Sequence, residues 1–350
     1  MCSAPEATIP CHAGSNMLPH TIRNLLYLKA FYLFMLPAPL FAQSTLDGEP
    51  PVGSADRIAL WPDGLAPGDK PLHSPRRIVE RSADPALPDR YIDHVSTPYL
   101  VVHRPARPNG DALLVIPGGG YQRVVLDKEG TALVPAFTEQ GGTTLFVLRY
   151  RLPGEGRADR EAALADAQRA LRLIRHRAGE WGIRPHRIGV MGFSAGGHLA
   201  ARLGTGFDAS VYPPTDAIDG ESARPDYQLL VYPVIDMHGP DTHAGSRQRL
   251  LGDTPSPELL QRYSMQTRVR ADTPPTFLLH AGDDDVVPVG NSLLFYQALR
   301  TAGVTTELHL FPHGGHGFGV RGTAGLTSAA WPRLALDWIT SLPPPPRTAP

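Results

Sequence analysis

Arg187-Ile-Gly-Val-Met-Gly-Phe-Ser-Ala-Gly-Gly-His-Leu-Ala-Ala201 is an apolar run, a glycine-flanked serine and a helix-forming, small-residue stretch in immediate succession. The Gly192-x-Ser194-x-Gly196 spacing lets a serine occupy a tight strand-to-helix turn, because the flanking glycines leave room for backbone and helix to approach closely. Ser194 then stands at a helix N-terminus as a candidate nucleophile. In a chain with 35 glycines among 350 residues the five-residue pattern alone carries little weight. Its placement between strand and helix gives it force.

Outward from this segment, apolar runs of strand length recur at 99–103, 112–116, 145–149, 187–191, 229–234, 277–280 and 307–311. Most are continuous rather than alternating, as expected of strands buried on both faces. Between them lie helical stretches at 131–139, 159–181, 289–302 and 329–339. The clearest is 159–181, where Ala163, Ala167, Leu171 and Ile174 share one face, arginines take the other, and Gly182 ends the helix. Strand and helix in alternation predict an α/β fold with a mostly parallel, doubly wound sheet. No internal repeat or Ser/Gly linker divides the chain, so 43–342 reads as a single domain and the Pro-rich 343–350 as a disordered tail. The Pro-, Asp- and Gly-rich 43–90 reads as irregular wrapping. The poorly periodic 204–224 and 237–270 follow the fourth and fifth runs. Both are expected to overhang the carboxyl ends of the strands as pocket wall.

Composition narrows the function. With 42% hydrophobic residues the chain can build a large core, and 33 basic against 34 acidic side chains give no excess for gripping nucleic acid or acidic lipid. Cys2 and Cys11 lie at the extreme N-terminus with no zinc-type spacing. From Met17 the chain carries Arg23 and Lys29, an apolar run at 30–41 and small residues near Ala42, the pattern of a secretory signal peptide. The run is broken by Pro37 and Pro39 and is too short to span about 30 Å of hydrocarbon, so no membrane anchor is expected. The expectation is therefore a signal peptide over 1–42, with Met17 as the preferred start, and a cysteine-free mature protein in the periplasm or outside the cell.

A nucleophilic serine needs donors for the oxyanion that forms when it attacks a carbonyl. The amide of Ala195 is one. Leu113-Leu-Val-Ile-Pro-Gly-Gly-Gly-Tyr121 supplies others, since Pro117 ends a strand and Gly118, Gly119 and Gly120 can turn their amides inward. The turn lacks the Gly-Lys-Ser/Thr continuation or second glycine spacing of a phosphate site. A serine of this kind is followed along the chain by an acid and then a histidine. His316 lies in Phe311-Pro-His-Gly-Gly-His-Gly-Phe-Gly319, a glycine-rich loop directly after the last apolar run, with His313 as the alternative base and His309 as surface. The acid is expected among Asp283, Asp284 and Asp285, and neighbouring residues do not choose among them. Three consecutive carboxylates lack the alternate spacing of a calcium loop.

Together these segments resemble the α/β-hydrolase superfamily and, more narrowly, bacterial carbohydrate esterases related to acetyl xylan esterases. The signatures are Pro117-Gly-Gly-Gly-Tyr121 and Gly192-Phe-Ser-Ala-Gly-Gly-His-Leu-Ala200. Supporting matches are Ile58-Ala-Leu-Trp-Pro62, Phe146-Val-Leu-Arg-Tyr-Arg-Leu-Pro153, Asp166-Ala-Gln-Arg-Ala170, Tyr232-Pro-Val234 and Gly315-His-Gly-Phe-Gly319. The resemblance implies an α/β-hydrolase fold of about eight strands flanked by helices. It selects Asp284 through the match of His280, Ala281, Val287 and Pro288, His316 as base, and Gly119, Gly120 and Ala195 as oxyanion donors. It further implies acyl transfer without metal or cofactor, on acetylated xylan or xyloglucan oligosaccharides or on small esters. Pro117 stands where lipase-like relatives carry histidine, which leans toward the carbohydrate esterases. Relatives of this kind often carry the name xylanase, but glycoside hydrolysis needs two carboxylates placed across the bond. The competing readings are a general short-chain carboxylesterase, a prolyl-oligopeptidase-like peptidase, for which the chain has no room for a propeller, and an inactive sugar- or protein-binding relative. Tyr121, Arg123 and Glu129 read as either pocket wall or ordinary surface.

Overall fold

The computed structural model describes residues 56–154 and 159–343, and in it the seven apolar runs form seven of the eight strands of the principal sheet. In chain order the strands are β1 (Arg57–Ala59), β2 (Arg77–Glu80), β3 (Arg90–Asp93), β4 (Tyr99–His103), β5 (Ala112–Ile116), β6 (Val124–Val125), β7 (Thr144–Arg149), β8 (Ile188–Phe193), β9 (Gln228–Val231), β10 (Thr276–Ala281) and β11 (Thr306–Phe311). The helices are α1 (Ala162–His176), α2 (Ser194–Thr205), α3 (Ala244–Leu251), α4 (Pro257–Tyr263), α5 (Gly290–Thr301) and α6 (Trp331–Ser341). The principal sheet runs β1-β4-β7-β5-β8-β9-β10-β11. β1, β4 and β7 are antiparallel neighbours, and from β7 onward every pair is parallel. This is the mostly parallel α/β-hydrolase sheet implied by the resemblance.

Successive residues of a strand point to opposite faces, so a doubly covered strand feeds two cores. Leu114, Ile116, Val190, Leu230 and Leu278 pack on one face with α1, α2 and α5. Leu113, Val115, Met191, Leu229 and Leu279 pack on the other with Phe137 and with Trp331 and Trp338 of α6. The crossovers leave β5, β8, β10 and β11 pointing the same way, so their four following loops gather at one end of the sheet, where ligands bind in such folds.

Several expectations shift. The segment 43–90 is not wholly irregular: β1 joins the principal sheet, and β2 pairs with β3, which pairs with β6, in a small separate sheet. The run at 229–234 stops pairing at Val231, because Tyr232 adopts φ +39° and Pro233 has no N–H to donate. The helix expected at 131–139 forms as a 3-10 turn, Thr131–Leu133, followed by a π-helical segment, Val134–Gln140, where Pro135 removes an early donor. The 159–181 stretch becomes α1 and a short 3-10 turn, Ala178–Trp181, ended by Gly182 at φ +65° as expected.

The arginine face of α1 does not face water. Arg169 is 1% exposed and grips Asp216 at 2.7 and 2.6 Å and Asp219 at 3.0 Å. Arg172 donates to the Glu221 carbonyl and Arg175 to the Arg224 carbonyl. The 204–224 excursion is therefore an acidic cover for α1 and not pocket wall, whereas 237–270, which carries α3 and α4, does reach the pocket described below. The supporting matches Trp61, Asp166 and Arg151 form one buried brace: Asp166 accepts from Trp61 Nε1 at 3.0 Å and from Arg151 at 2.8 Å. The expected leader at 1–42, and all of the tail at 343–350 but its first residue, lie outside the described residues.

Candidate active site

Ser194 opens α2 directly after β8 with φ +52°, a left-handed conformation that costs a residue with a Cβ about 1–2 kcal/mol. The flanking glycines make the turn possible. A Cβ on Gly192 would stand 2.6 Å from the Ala200 Cβ, and one on Gly196 would stand 2.7 Å from the carbonyl carbon of Pro117. The helix thus lies against both its own strand and the turn after β5.

The loop after β11 brings His316 Nε2 to 2.9 Å from Ser194 Oγ, and His316 Nδ1 lies 2.8 Å from Asp284 Oδ2 in the loop after β10. With its proton held on Nδ1 by the carboxylate, the imidazole presents a lone pair at Nε2 to the serine hydroxyl. Burial opposes ionisation of Asp284, but hydrogen bonds from His280 and His316 and from the Val287 amide outweigh it and hold the carboxyl well below the usual carboxylate range. Asp283 instead accepts from the Gly315 amide and from the exposed His313, and Asp285 faces solvent. His309 pairs with Glu307 at 2.6 Å. Of the candidates, the structure brings together Ser194, Asp284 and His316 and leaves His313 and the other two carboxylates aside.

The glycine turn lies over the same serine. Gly119, Gly120 and Tyr121 all have positive φ, and the amides of Gly119 and Gly120 have no partner among the described residues. The Ala195 amide lies in the first turn of α2, where no preceding carbonyl can accept it. Gly118 differs from the expectation that it too turns inward, because its amide donates to Glu129 Oε2 at 2.8 Å.

Three groups that anchor the turn were not assigned from the sequence. Glu129, 2% exposed, also accepts from the Tyr232 hydroxyl at 3.0 Å, and that hydroxyl accepts from the Gly319 amide at 3.0 Å. One carboxylate therefore ties the turn after β5 to the loop carrying His316. Burial pushes the Tyr232 phenol far above its ordinary value, so it stays protonated and donates. On the other side, Tyr121 Oη lies 2.7 Å from His198 Nδ1, while His198 Nε2 donates to the Tyr263 carbonyl at 2.8 Å. Burial and the nearby Arg202 lower the His198 pKa to about 3, so the ring is neutral and its Nδ1 accepts from the Tyr121 hydroxyl. Tyr150 Oη donates to the Pro117 carbonyl at 2.9 Å. These partners are 11 to 103 residues from what they hold, so no local pattern marks them.

Ser194, His316, Gly119 and Gly120 line a cleft of about 450 Å³, closed by Glu129 and, from the 237–270 excursion, by His243 at the N-terminus of α3. A larger hollow of about 690 Å³ lies by the 67–74 loop, but its Arg151 and Asp69 bind each other and it contains no serine–histidine hydrogen bond among the described residues. The cleft at Ser194 can therefore support nucleophilic attack on a carbonyl, with a base, an orienting acid and free amides for the developing charge.

Comparison with known proteins gives the family of the chain. Residues 106–299, more than half of the chain, match the BD-FAE family. The chain belongs to the BD-FAE family. The matched span covers the glycine turn, Ser194 and Asp284, with His316 beyond it. This BD-FAE member is 36% identical over 253 residues to an acetylxylan esterase of Xylanibacter ruminicola, covering 70% of this chain and 48% of that protein. It is 38% identical over 211 residues to endo-1,4-beta-xylanase B of Butyrivibrio fibrisolvens, covering 60% of this chain and 33% of that protein. The chain thus spans half or less of the length of these two curated relatives. Its fold is similar, with a TM-score of 0.67 and 38% identity, to the crystal structure of an acetyl ester-xyloside bifunctional hydrolase from Caldicellulosiruptor lactoaceticus, covering 81% of this chain and 95% of that one.

Proposed function

We propose that this protein is a serine esterase that removes acetyl groups from plant cell-wall carbohydrates of the acetylated xylan or xyloglucan type. The observation that carries the reading is the hydrogen-bonded chain Ser194–His316–Asp284 beside a turn with two free amides. His316 Nε2 takes the Ser194 proton as Oγ attacks the ester carbonyl, and the amides of Gly119, Gly120 and Ala195 receive the oxyanion. Collapse expels the sugar hydroxyl, which leaves with the proton from His316. Water, deprotonated at the same nitrogen, then attacks the acyl-enzyme and releases acetate. Asp284 holds the Nδ1–H throughout, fixing the tautomer and stabilising the imidazolium of each step.

The names of the similar proteins, an acetylxylan esterase and an acetyl ester-xyloside hydrolase, support an acetylated xyloside as substrate. Hydrolysis of the glycosidic bond itself is not part of the proposal. Glu129 is the one carboxylate lining the cleft among the described residues, and it is already hydrogen-bonded to Gly118 and Tyr232. The signal-like stretch from Met17 to Ala42 supports export, which would place the enzyme in the periplasm or outside the cell, where such oligosaccharides occur.

The test is acetate release from acetylated xylo-oligosaccharides, beside an aryl acetate, by the parent protein and Ser194→Ala. Release from the oligosaccharide that disappears in the variant is the expected result. Turnover of the aryl ester alone would support the general short-chain carboxylesterase instead.

A further inference from the structure

The cleft around Ser194 is unevenly charged. Arg81, Arg123, Lys128 and Arg249 line it against the single carboxylate of Glu129, which is buried and committed to two donors. Arg81 is neutralised by Asp89 at 2.6 Å. The other three have no carboxylate partner among the described residues. Among the described residues the Arg123 Nε is buried without a hydrogen-bond partner, and its guanidinium lies 5.0 Å from the Tyr91 ring centroid. The Lys128 Nζ stands beside the residue that follows His316: a Cβ on Gly317 would lie 3.4 Å from it. Arg249 projects from α3, the helix whose N-terminal His243 closes the cleft, and is exposed. A neutral acetylated sugar has no use for three unpaired cations around the reacting ester, and their mutual repulsion costs free energy until an anion sits among them.

We propose that this cleft selects esters whose alcohol portion carries a carboxylate, which for a cell-wall carbohydrate means an acetylated oligosaccharide bearing a uronic acid residue near the ester. The carbohydrate part of this statement rests on the proposed function; the charge selection does not. Arg123, Lys128 and Arg249 are positioned to receive the uronate while Ser194 attacks the acetyl carbonyl. Because the cleft is open to water, the attraction is screened by salt.

Two substrate pairs test it, each read as a ratio of kcat/KM on one enzyme preparation, so that loss of folded protein cancels. The first is 4-acetoxybenzoate against its neutral methyl ester. The second is an acetylated, glucuronic-acid-substituted xylo-oligosaccharide against the same compound with its carboxyl group reduced. The expected result is a preference for the anionic member of about tenfold at low ionic strength, shrinking at 0.5 M salt. The same ratio should fall toward one in Arg123→Gln/Lys128→Gln/Arg249→Gln. Equal rates within both pairs, or a preference that survives the triple substitution, overturn the proposal. An aryl hemisuccinate favoured over the aryl acetate while both pairs stay equal places the charge in the acyl group and overturns it too. Preference within the aryl pair with neither oligosaccharide cleaved upholds charge selection and removes the carbohydrate reading. Equal cleavage of both oligosaccharides with an indifferent aryl pair keeps the carbohydrate reading and removes charge selection.

Discussion

Glu129 offers the sharpest test of how the turn after β5 is held. Truncation in Glu129→Ala leaves the Gly118 amide and the Tyr232 hydroxyl without an acceptor in a site that is 2% exposed. A hydrogen bond to a charged group contributes about 1.5–3 kcal/mol, so losing two costs about 3–6 kcal/mol, a large part of a typical 5–15 kcal/mol stability. At about 2–4 °C per kcal/mol for a domain of this class, the melting temperature should fall by about 6–24 °C. Glu129→Gln keeps an oxygen for Gly118 but turns an NH2 toward Tyr232, so about half of that loss is expected. Because Gly118 precedes the free amides of Gly119 and Gly120, both variants should lower kcat toward an aryl acetate by at least about tenfold with little change in KM, the signature of a group that acts through the transition state. The assay is a thermal melt beside steady-state kinetics on the same preparations. An alanine variant within about 1 kcal/mol of the parent with kcat unchanged would refute the anchoring role.

Asp284→Asn should reduce kcat by about 10⁴, because the amide oxygen stays with the Val286 and Val287 amides and the new NH2 faces His316 Nδ1, which favours the wrong tautomer; a loss under tenfold would show that another group orients the imidazole. Ser194→Gly and Ser194→Ala should both be inactive, but the glycine variant should unfold at higher denaturant, by about 1 kcal/mol, because only it relaxes at φ +52°; equal midpoints would argue against strain at this turn. His198 gives a pH dependence. Its folded pKa of about 3 lies below the unfolded value of about 6.5, so on acidification the unfolded chain takes up a proton that the folded one refuses. Its contribution is complete above about pH 6.5 and is lost toward pH 3 at up to about 1.4 kcal/mol per unit. Urea midpoints at pH 7 and pH 4 should therefore lie closer together in His198→Gln than in the parent, and an unchanged gap would mean that the ring is not held neutral.

The architecture was legible because its signals are local. Continuous apolar runs marked the buried strands, and Gly192, Ser194 and Gly196 marked the strand-to-helix turn. Asp284 was less so: three adjacent carboxylates look alike along the chain, and only a resemblance, then the donors from His316 and Val287, separated them. What the chain order conceals is pairing at a distance. Glu129 meets Tyr232 across 103 residues, and Asp216 and Asp219 give the 204–224 excursion its place by covering the buried Arg169. A carboxylate or arginine in such a segment looks like solvated surface until its partner is known. The π-helical Val134–Gln140 was missed in kind for a different reason, since periodicity separates helix from strand but not one helical pitch from another.

The order of strands in the sheet also bears on how the molecule would wear out. Ser194 follows β8, which lies between β5 and β9 in the interior of the sheet, whereas His316 follows β11, a margin strand whose residues are mostly only half-buried. The loop bearing His316 is tethered to the body through Gly319, whose amide and carbonyl are held by Tyr232 and by Trp331 of α6. Free energy of opening is lowest at margins and loops. Gentle heating or dilute denaturant would therefore detach the imidazole while β5, β8 and the glycine turn stay in register. Inactivation would run ahead of global melting, and a preparation could keep its full spectroscopic signature after much of its turnover had gone.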